Sequence, residues 1–198
     1  MQNATTKRCS FCVGDPLYED YHDNEWGVPQ TDDQKLFESL ILETFQAGLN
    51  WLTILRKREA FRAAFDQFDI EKVAGYEDEK ISSLLKDSGI IRNRSKINAT
   101  ITNAKAFQNI QRTHGSFARY LWSFTDGRII HNRPRTLDEL PSQTALSEKL
   151  SKDLKKQGFS FTGPVVIYAF LQANGVVNDH TVDCHSYAAR SKIETIVI

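Results

Sequence analysis

The sequence predicts an all-α protein that forms one domain over residues 1–198. Apolar residues recur at helical spacing in most segments, and no segment alternates apolar and polar residues over the length of a strand. With 40% hydrophobic residues, the chain can also bury a substantial core. No apolar run approaches the length of a membrane span, so we expect no membrane partner.

The order of the elements follows from capping residues and apolar spacing. Thr31 and Gln34 predict a capping box at the first clear helix, and Gly48 ends or kinks that helix. A second helix is expected over residues 52–65, and Asp69 can cap a short third one. Helical spacing also marks two later segments, through Ile97, Ile101, Ala104 and Gln108 and through Leu146, Leu150 and Leu154. We expect little or no sheet, and disordered ends at residues 1–7 and 189–198.

A tight apolar hairpin at about residues 158–164 lies between two C-terminal helices. Gly158 is placed just after the preceding helix, and Pro164 is at the favoured first position of the next. Gly163 permits a positive φ and exposes its backbone N–H group. Free N–H groups at the start of a helix bind anions such as phosphate. The alternative is an ordinary turn between two helices.

Composition and charge narrow the class of protein. The N-terminus is polar and lacks the apolar stretch of a signal peptide, so we expect a cytoplasmic location. Three cysteines fit thiols or a bound metal better than a disulfide framework. The net charge of zero argues against purely electrostatic, non-specific DNA binding. Basic clusters at residues 56–58, 92–96 and 152–156 are expected to be solvated helix faces.

Two Cys/His pairs stand near opposite ends of the chain: Cys9 with His22, and His180 with Cys184. The second pair has the i, i+4 spacing of residues on one helical turn. Four such residues can form a tetrahedral Cys₂His₂ zinc site that links the two ends of the chain. The residues alone leave alternatives open, because Cys9 and Cys12 form a Cys-x₂-Cys pair and His185 follows Cys184.

Glu43 is the most informative carboxylate of the sequence. It follows Leu36 by seven residues and Leu40 by three, which places it at the edge of an apolar helical face. A carboxylate there is costly unless it has a partner. Either its head group reaches solvent, or it faces a ligand pocket.

Five sequence blocks resemble one known family. They are Asp-Pro-Leu-Tyr at 15–18, Tyr-His-Asp-Asn-Glu-Trp-Gly-Val-Pro at 21–29, Gln-Ala-Gly-Leu-Asn-Trp at 46–51, Ser-Gly-Ile-Ile-Arg at 88–92 and Gly-Val-Val-Asn-Asp-His at 175–180. With the helix, hairpin, helix order, they resemble the helix-hairpin-helix DNA glycosylases, and within them the bacterial 3-methyladenine DNA glycosylase I family. The resemblance runs from about Cys9 to Tyr187.

The resemblance implies two helical lobes around a cleft. It implies hydrolysis of the N-glycosidic bond of N3-methyladenine in double-stranded DNA, which releases 3-methyladenine and leaves an abasic site. It also implies one structural zinc ion per chain on Cys9, His22, His180 and Cys184, with Cys12 outside the set. We expect the protein to act as a monomer.

The resemblance and the positions of nearby residues suggest the site. Glu43 is expected to be catalytic and to recognise the positively charged base, the Tyr21 hydroxyl to contact the base edge, and Trp51 to stack on the extruded base. Phe45, two residues after Glu43, is expected to wall the pocket, whereas Trp26 and Trp122 are assigned to the core. DNA contacts are expected at Gly48, Leu49, Phe161, Thr162 and Gly163, with Leu49 as a wedge in the gap left by the base.

One position departs from the superfamily pattern. Asn178 stands where these glycosylases usually carry an aspartate, and an amide cannot act as a general base. Asp179 is one residue along and is expected to point elsewhere. N3-methylation already makes the purine a good leaving group, and residues 165–173 hold no lysine for a Schiff base. We therefore expect simple hydrolysis without strand cleavage.

Two other classes of function remain as alternatives. One is a non-enzymatic, zinc-stapled helical module that binds duplex DNA through its hairpin. The other is a metallohydrolase, which requires a zinc ion with three protein ligands and a bound water. Glu43 with Tyr21 and Trp51 separates the glycosylase from the DNA-binding module, since a plain binder needs no aromatic base pocket.

Overall fold

Helices dominate the computed structural model, which describes residues 6–198. The α-helices of the described residues are α1 Pro16–Asn24, α2 Asp33–Gln46, α3 Trp51–Ala64, α4 Ile70–Ala74, α5 Asp78–Leu84, α6 Arg94–His114, α7 Phe117–Ser123, α8 Ala145–Lys156, α9 Pro164–Ala173 and α10 His185–Arg190. Short 3₁₀ turns lie at Ser10–Cys12, Asp66–Phe68 and Leu137–Glu139. The prediction of a mostly helical fold is confirmed.

The sheet content is small, as expected. Strand β1, Ile130–His131, pairs in parallel with β2, Val177–Asn178, in the register Ile130 to Val177. This pairing ties the segment after α9 to the segment after α7. None of the helices in the described part of the chain has the length and apolar character needed to cross a membrane.

Side-chain caps set where several helices begin. The N-cap of α2 is Asp32, whose carboxylate accepts a hydrogen bond from the Lys35 N–H group at 2.9 Å. The prediction of Thr31 as N-cap is therefore wrong by one residue, because the Gln30 side chain accepts bonds from the N–H groups of both Thr31 and Asp32 and holds them outside the helix. Asp69 caps α4, as predicted.

The core is built around α2, which packs against α3, α6, α7 and α9. Five of its apolar side chains are completely buried: Leu36, Phe37, Leu40, Ile41 and Phe45. Phe37 meets Phe107 of α6 edge to face, with ring centroids 5.3 Å apart. Because α2 is surrounded in this way, polar residues on its last two turns lie inside the protein.

The hairpin between α8 and α9 has the predicted position but a different turn residue. Gly158 has a φ of +94° just after α8, and Pro164 is the first residue of α9. Gly163 is extended, with φ −64° and ψ 157°, so it does not use the positive φ that a glycine permits. The left-handed residue is Phe161, with φ 58°.

The C-terminal segment also differs from expectation. His180 and Cys184 lie in a turn and not on a helix, because Cys184 is the N-cap of α10. Residues 189–198, expected to be disordered, make backbone hydrogen bonds: Ile129 N–H donates to the Glu194 carbonyl at 3.0 Å and Ile196 N–H to the Gly127 carbonyl at 2.7 Å. The expected disorder at residues 1–7 falls mostly outside the described residues, which begin at residue 6.

Candidate functional site

A cavity of about 180 Å³ lies between α1, α2, α3 and α9, close to the N-terminal 3₁₀ turn. Five aromatic residues line it: Phe11, Tyr18, Tyr21, Trp26 and Trp51. Its polar lining includes Glu43 and Gln46 of α2 and Gln172 of α9. Glu43 and Gln46 are three residues apart on one helix, so both side chains face the same side.

The Glu43 carboxylate lies inside this aromatic enclosure. Only 4% of the residue is exposed, and its Oε2 atom has no hydrogen-bond partner among residues 6–198. Burial raises the pKa of its carboxyl group from the usual 4.5 to about 8. A buried polar atom without a partner is costly, so its presence in a cavity points to a ligand that completes it.

Tyr21 and Trp51 form adjoining walls of the cavity, with ring centroids 5.4 Å apart. Burial, followed by the nearby Glu43 carboxylate, raises the pKa of Tyr21 well above its usual value. Its hydroxyl therefore stays protonated and can donate a hydrogen bond. Trp51 begins α3 directly after Asn50, the N-cap. Its indole Nε1 is buried and has no partner within the described part of the chain.

Phe45 does not line the cavity, so its prediction as a pocket wall is wrong. It is completely buried in the core, with ring centroids 4.8 Å from Phe61 and 5.9 Å from Phe65. Successive helical residues are rotated by about 100°, so a residue two positions after Glu43 points to the opposite side. Trp26, assigned to the core from sequence, lines the cavity instead, whereas Trp122 is a core residue.

The four Cys and His residues of the two terminal pairs come together in space. Their ligand atoms all lie within 4.8 Å of one another, and all four residues are buried. The Cys184 Sγ is 3.5 Å from His22 Nε2 and 3.7 Å from His180 Nδ1, and the Cys9 Sγ is 3.6 Å from His180 Nδ1. This cluster could hold a metal ion.

Comparison with known proteins gives the family. The profile of a family described as methyladenine glycosylase matches residues 11–187. The chain belongs to the methyladenine glycosylase family. It is 49% identical over 181 residues to DNA-3-methyladenine glycosylase 1 of Escherichia coli (strain K12). This match covers 91% of this chain and 97% of the relative. It is 45% identical over 179 residues to DNA-3-methyladenine glycosylase of Haemophilus influenzae, covering 90% and 97%.

Solved structures of the family share the fold. A crystal structure of 3-methyladenine DNA glycosylase I matches with a TM-score of 0.88 and 49% identity, over 90% of this chain and 98% of that chain. A structure on the recognition of 3-methyladenine by 3-methyladenine DNA glycosylase I from Staphylococcus aureus matches with a TM-score of 0.88 and 39% identity, over 91% and 96%. The resemblance inferred from sequence is confirmed, and the chain is a hydrolase of the glycosylase class.

Asp23 lies beside the cluster of four Cys and His residues, and its carboxylate contacts three side chains. One carboxylate oxygen is 2.8 Å from His22 Nδ1 and 2.8 Å from His185 Nε2, and Arg8 donates to both oxygens at 2.8 to 3.0 Å. His185 therefore lies outside the four-residue cluster, next to Asp23. Cys12 also lies outside it, and its thiol donates to the Cys9 carbonyl at 3.2 Å.

The residues predicted to contact DNA lie outside the cavity. Leu49 is 43% exposed at the turn between α2 and α3, next to Gly48 with φ +85°. Phe161 is also 43% exposed, at the tip of the hairpin. Thr162 is completely buried, and its carbonyl accepts a hydrogen bond from Ser151, so the predicted DNA contact of this residue has no exposed surface in the structure. Gly163 opens α9 as its N-cap.

Asn178 and Asp179 are both buried and engaged within the protein. The Asn178 amide nitrogen is 3.1 Å from His131 Nδ1. Asp179 accepts hydrogen bonds from Tyr168 Oη at 2.6 Å, Gln172 Nε2 at 2.8 Å and Asn132 Nδ2 at 2.6 Å. Asp179 therefore holds Gln172, which in turn lines the cavity.

Sequence reasoning missed five lining residues: Phe11, Tyr18, Gln46, Ala169 and Gln172. Helical spacing could have found two of them, because Tyr18 is three residues before Tyr21 and Gln46 three after Glu43. Phe11 lies in the 3₁₀ turn that follows Cys9, where periodicity carries no information.

Proposed function

We propose that this protein hydrolyses the N-glycosidic bond of N3-methyladenine in double-stranded DNA, releasing free 3-methyladenine and leaving an abasic site. The observation that carries the proposal is the unpartnered Glu43 carboxylate, enclosed by aromatic rings in a cavity large enough for a small planar ligand. Named relatives that cover nearly the whole chain support the substrate. We also propose that the protein acts as a monomer.

Recognition rests on charge and on stacking. The methylated base carries a positive charge while it is attached to DNA, and the exocyclic amine can donate to Glu43. A cationic base lowers the pKa of the buried carboxyl group, so binding favours its ionised form. Neutral adenine gives no such compensation for the buried charge. Trp51 offers its ring face to the extruded base, and the Tyr21 hydroxyl can donate a hydrogen bond to the base edge.

The chemical step needs little help from the protein. The C1′–N bond breaks with its electron pair going to the base, which neutralises the base and makes it a good leaving group. Water then adds its oxygen to C1′ and releases a proton. Asn178 does not supply a general base, because its amide is held near His131. Residues 164–173 contain no lysine, so no Schiff base and no strand cleavage follow.

The DNA contacts are assigned to the two exposed tips. Leu49 is proposed to fill the gap that the extruded base leaves in the duplex. Phe161, Thr162 and Gly163 are proposed to contact the backbone, with phosphate at the N-terminus of the ten-residue helix α9. The cavity between α1, α2, α3 and α9 then corresponds to the cleft between two helical lobes.

We assign zinc to the four-residue cluster. Tetrahedral zinc with bonds of about 2.0 to 2.3 Å separates neighbouring sulfur and nitrogen ligands by about 3.6 Å. Three of the four Sγ–N distances of the cluster, from Cys184 to both histidines and from Cys9 to His180, are 3.5 to 3.7 Å. The remaining ring nitrogens of both histidines also have partners, Asp23 for His22 and the Trp26 carbonyl for His180. Four protein ligands leave no open position, so the proposed role is structural and the metallohydrolase alternative is disfavoured.

The test is base release from duplex DNA treated with a methylating agent. Chromatography of the released material should show 3-methyladenine, and none should come from untreated DNA. The DNA strands should stay intact until alkali cleaves the abasic sites. Binding of duplex DNA without base release would favour the non-enzymatic DNA-binding module, and strand cleavage without alkali would contradict simple hydrolysis.

A further inference from the structure

Helix α6 contacts both of the segments that carry exposed apolar tips. The first contact point is Lys96, which is buried. Its ammonium group donates to the carbonyls of Phe45 at 2.9 Å and Ala47 at 2.7 Å. These carbonyls are at the C-terminal end of α2, where a positive charge is favourable. Lys96 therefore fixes the start of the turn that presents Leu49. The sequence placed this lysine in a solvated basic cluster, and its burial corrects that expectation.

The second point is Asn103, which is completely buried. Its amide nitrogen donates to the Ser160 carbonyl at 3.0 Å, and its amide oxygen accepts from the Ser160 N–H group at 2.8 Å. One side chain thus satisfies both backbone groups of the residue just before Phe161. From the other side, Ser151 of α8 donates to the Thr162 carbonyl at 2.5 Å.

The two contact points share one face of one helix. Lys96 and Asn103 are seven residues apart, which is close to two full turns and about 10 Å along the axis. An α-helix of 21 residues that packs against α2, α4, α5 and α7 is a rigid connection. The separation of the Leu49 turn from the Phe161 hairpin is therefore set by α6.

We propose that α6 is a spacer that holds the Leu49 turn and the Phe161 hairpin at the separation that duplex DNA requires, with Lys96 and Asn103 as positioning residues. The inference rests on the proposed function, because it takes both tips as DNA contacts. Neither residue lines the base cavity. The spacing therefore governs the binding of duplex DNA and not the binding of the free base.

The experiment compares the variants Lys96→Met and Asn103→Leu with the parent protein. Affinity is measured for a duplex that contains a tetrahydrofuran abasic-site analogue, and separately for free 3-methyladenine. Each variant should bind the duplex about tenfold more weakly, while free-base affinity stays within about twofold. Two milder variants guard against misfolding. Lys96→Arg, which keeps the cation, should recover much of the affinity, and Asn103→Ser, which cannot span both Ser160 groups, should not.

A matched control and the double variant make the test specific. Asp69→Ala removes the N-cap of α4 away from the cavity, so it should lower the melting temperature without lowering duplex affinity.

The double variant Lys96→Met/Asn103→Leu tests whether both residues act on one spacing. At distant, independent sites the fold-losses of affinity multiply. If both residues set the same spacing, the double variant should lose less duplex affinity than the product of the two single fold-losses. Parent-like duplex affinity, equal losses for duplex and free base, or multiplying losses would overturn the inference. Binding of the analogue needs no excision. A parent protein that binds the analogue but releases no base from methylated DNA would therefore refute the proposed function and leave the spacer inference standing.

Discussion

Replacing Glu43 by glutamine should make the protein more stable, by an amount that grows with pH. The carboxyl group is buried, and its pKa is raised from 4.5 to about 8. Between these two values the unfolded chain carries the ionised form and the folded chain carries the neutral form. The unfolded state then binds fewer protons, so stability falls as pH rises. At about 1.4 kcal/mol per pH unit, the interval from 4.5 to about 8 corresponds to about 5 kcal/mol.

Glutamine keeps the shape of the side chain and cannot ionise, so Glu43→Gln escapes this loss. Urea unfolding of both proteins at about pH 5, 6.5, 8 and 9 gives the free energy of unfolding at each pH. The advantage of the variant should be small at the lowest pH and approach about 5 kcal/mol at the highest. Glu38→Gln is the matched control, because Glu38 lies on the same helix but pairs with Arg62 at 2.7 Å. That control should show no gain in stability as pH rises.

Although Glu43→Gln should be more stable than the parent protein, it should bind and excise the methylated base less well. The cationic base in DNA favours the ionised form of Glu43. For the attached and the free base alike, a hydrogen bond from the exocyclic amine to a carboxylate is charge-assisted and roughly twice as strong as a neutral one. Glu43→Gln should therefore bind free 3-methyladenine more weakly and release it from DNA more slowly, with its fold and metal content intact. Parallel pH profiles of stability for parent and variant would refute the burial argument. Parent-like excision by the variant would show that Glu43 is a structural residue.

Three further predictions concern the metal cluster, the hairpin and the stacking wall. Cys184→Ala should lose the expected one zinc ion per chain and melt at a lower temperature, whereas Cys12→Ala should keep the metal; elemental analysis decides. Gly163→Val should weaken duplex binding and leave free-base binding unchanged, because its side chain would block phosphate while meeting no protein atom within 4 Å of the Cβ. Trp51→Ala should weaken free-base binding by about 1–3 kcal/mol in calorimetry, and a smaller loss would mean that the indole only packs.

The fold was largely predictable because its helices carry their own signals. Asp69 and Pro164 mark helix starts through side-chain chemistry that acts over three or four residues. The errors arose where contacts outside the signals of the helices themselves decided the outcome. Gln30 shifted the start of α2 through hydrogen bonds to the next two residues, and β1 pairs with β2 across 47 residues of chain. Single-residue propensity cannot predict such contacts. For the same reason, the expectation of disorder at residues 189–198 missed the backbone hydrogen bonds of that segment.

The candidate site was less predictable because it combines helices with irregular chain. Glu43 follows from the apolar spacing of α2, and the same spacing excludes Phe45 and selects Gln46, so that error was one of geometry. Phe11 is different. Its ring reaches the cavity because the neighbouring Cys9 belongs to a cluster with residues 13 to 175 positions away along the chain.

That cluster also links the proposed structural zinc site to the cavity around Glu43. His22 is the residue after Tyr21, and Cys9 is two residues before Phe11, so two cavity walls are next to proposed metal ligands. Closing a loop between Cys9 and Cys184 restricts the unfolded chain and fixes the N-terminal segment against α1. The rings are then ordered before any base arrives, which lowers the entropy lost on binding. The proposed zinc ion would thus contribute to recognition through position alone, without contact to the base.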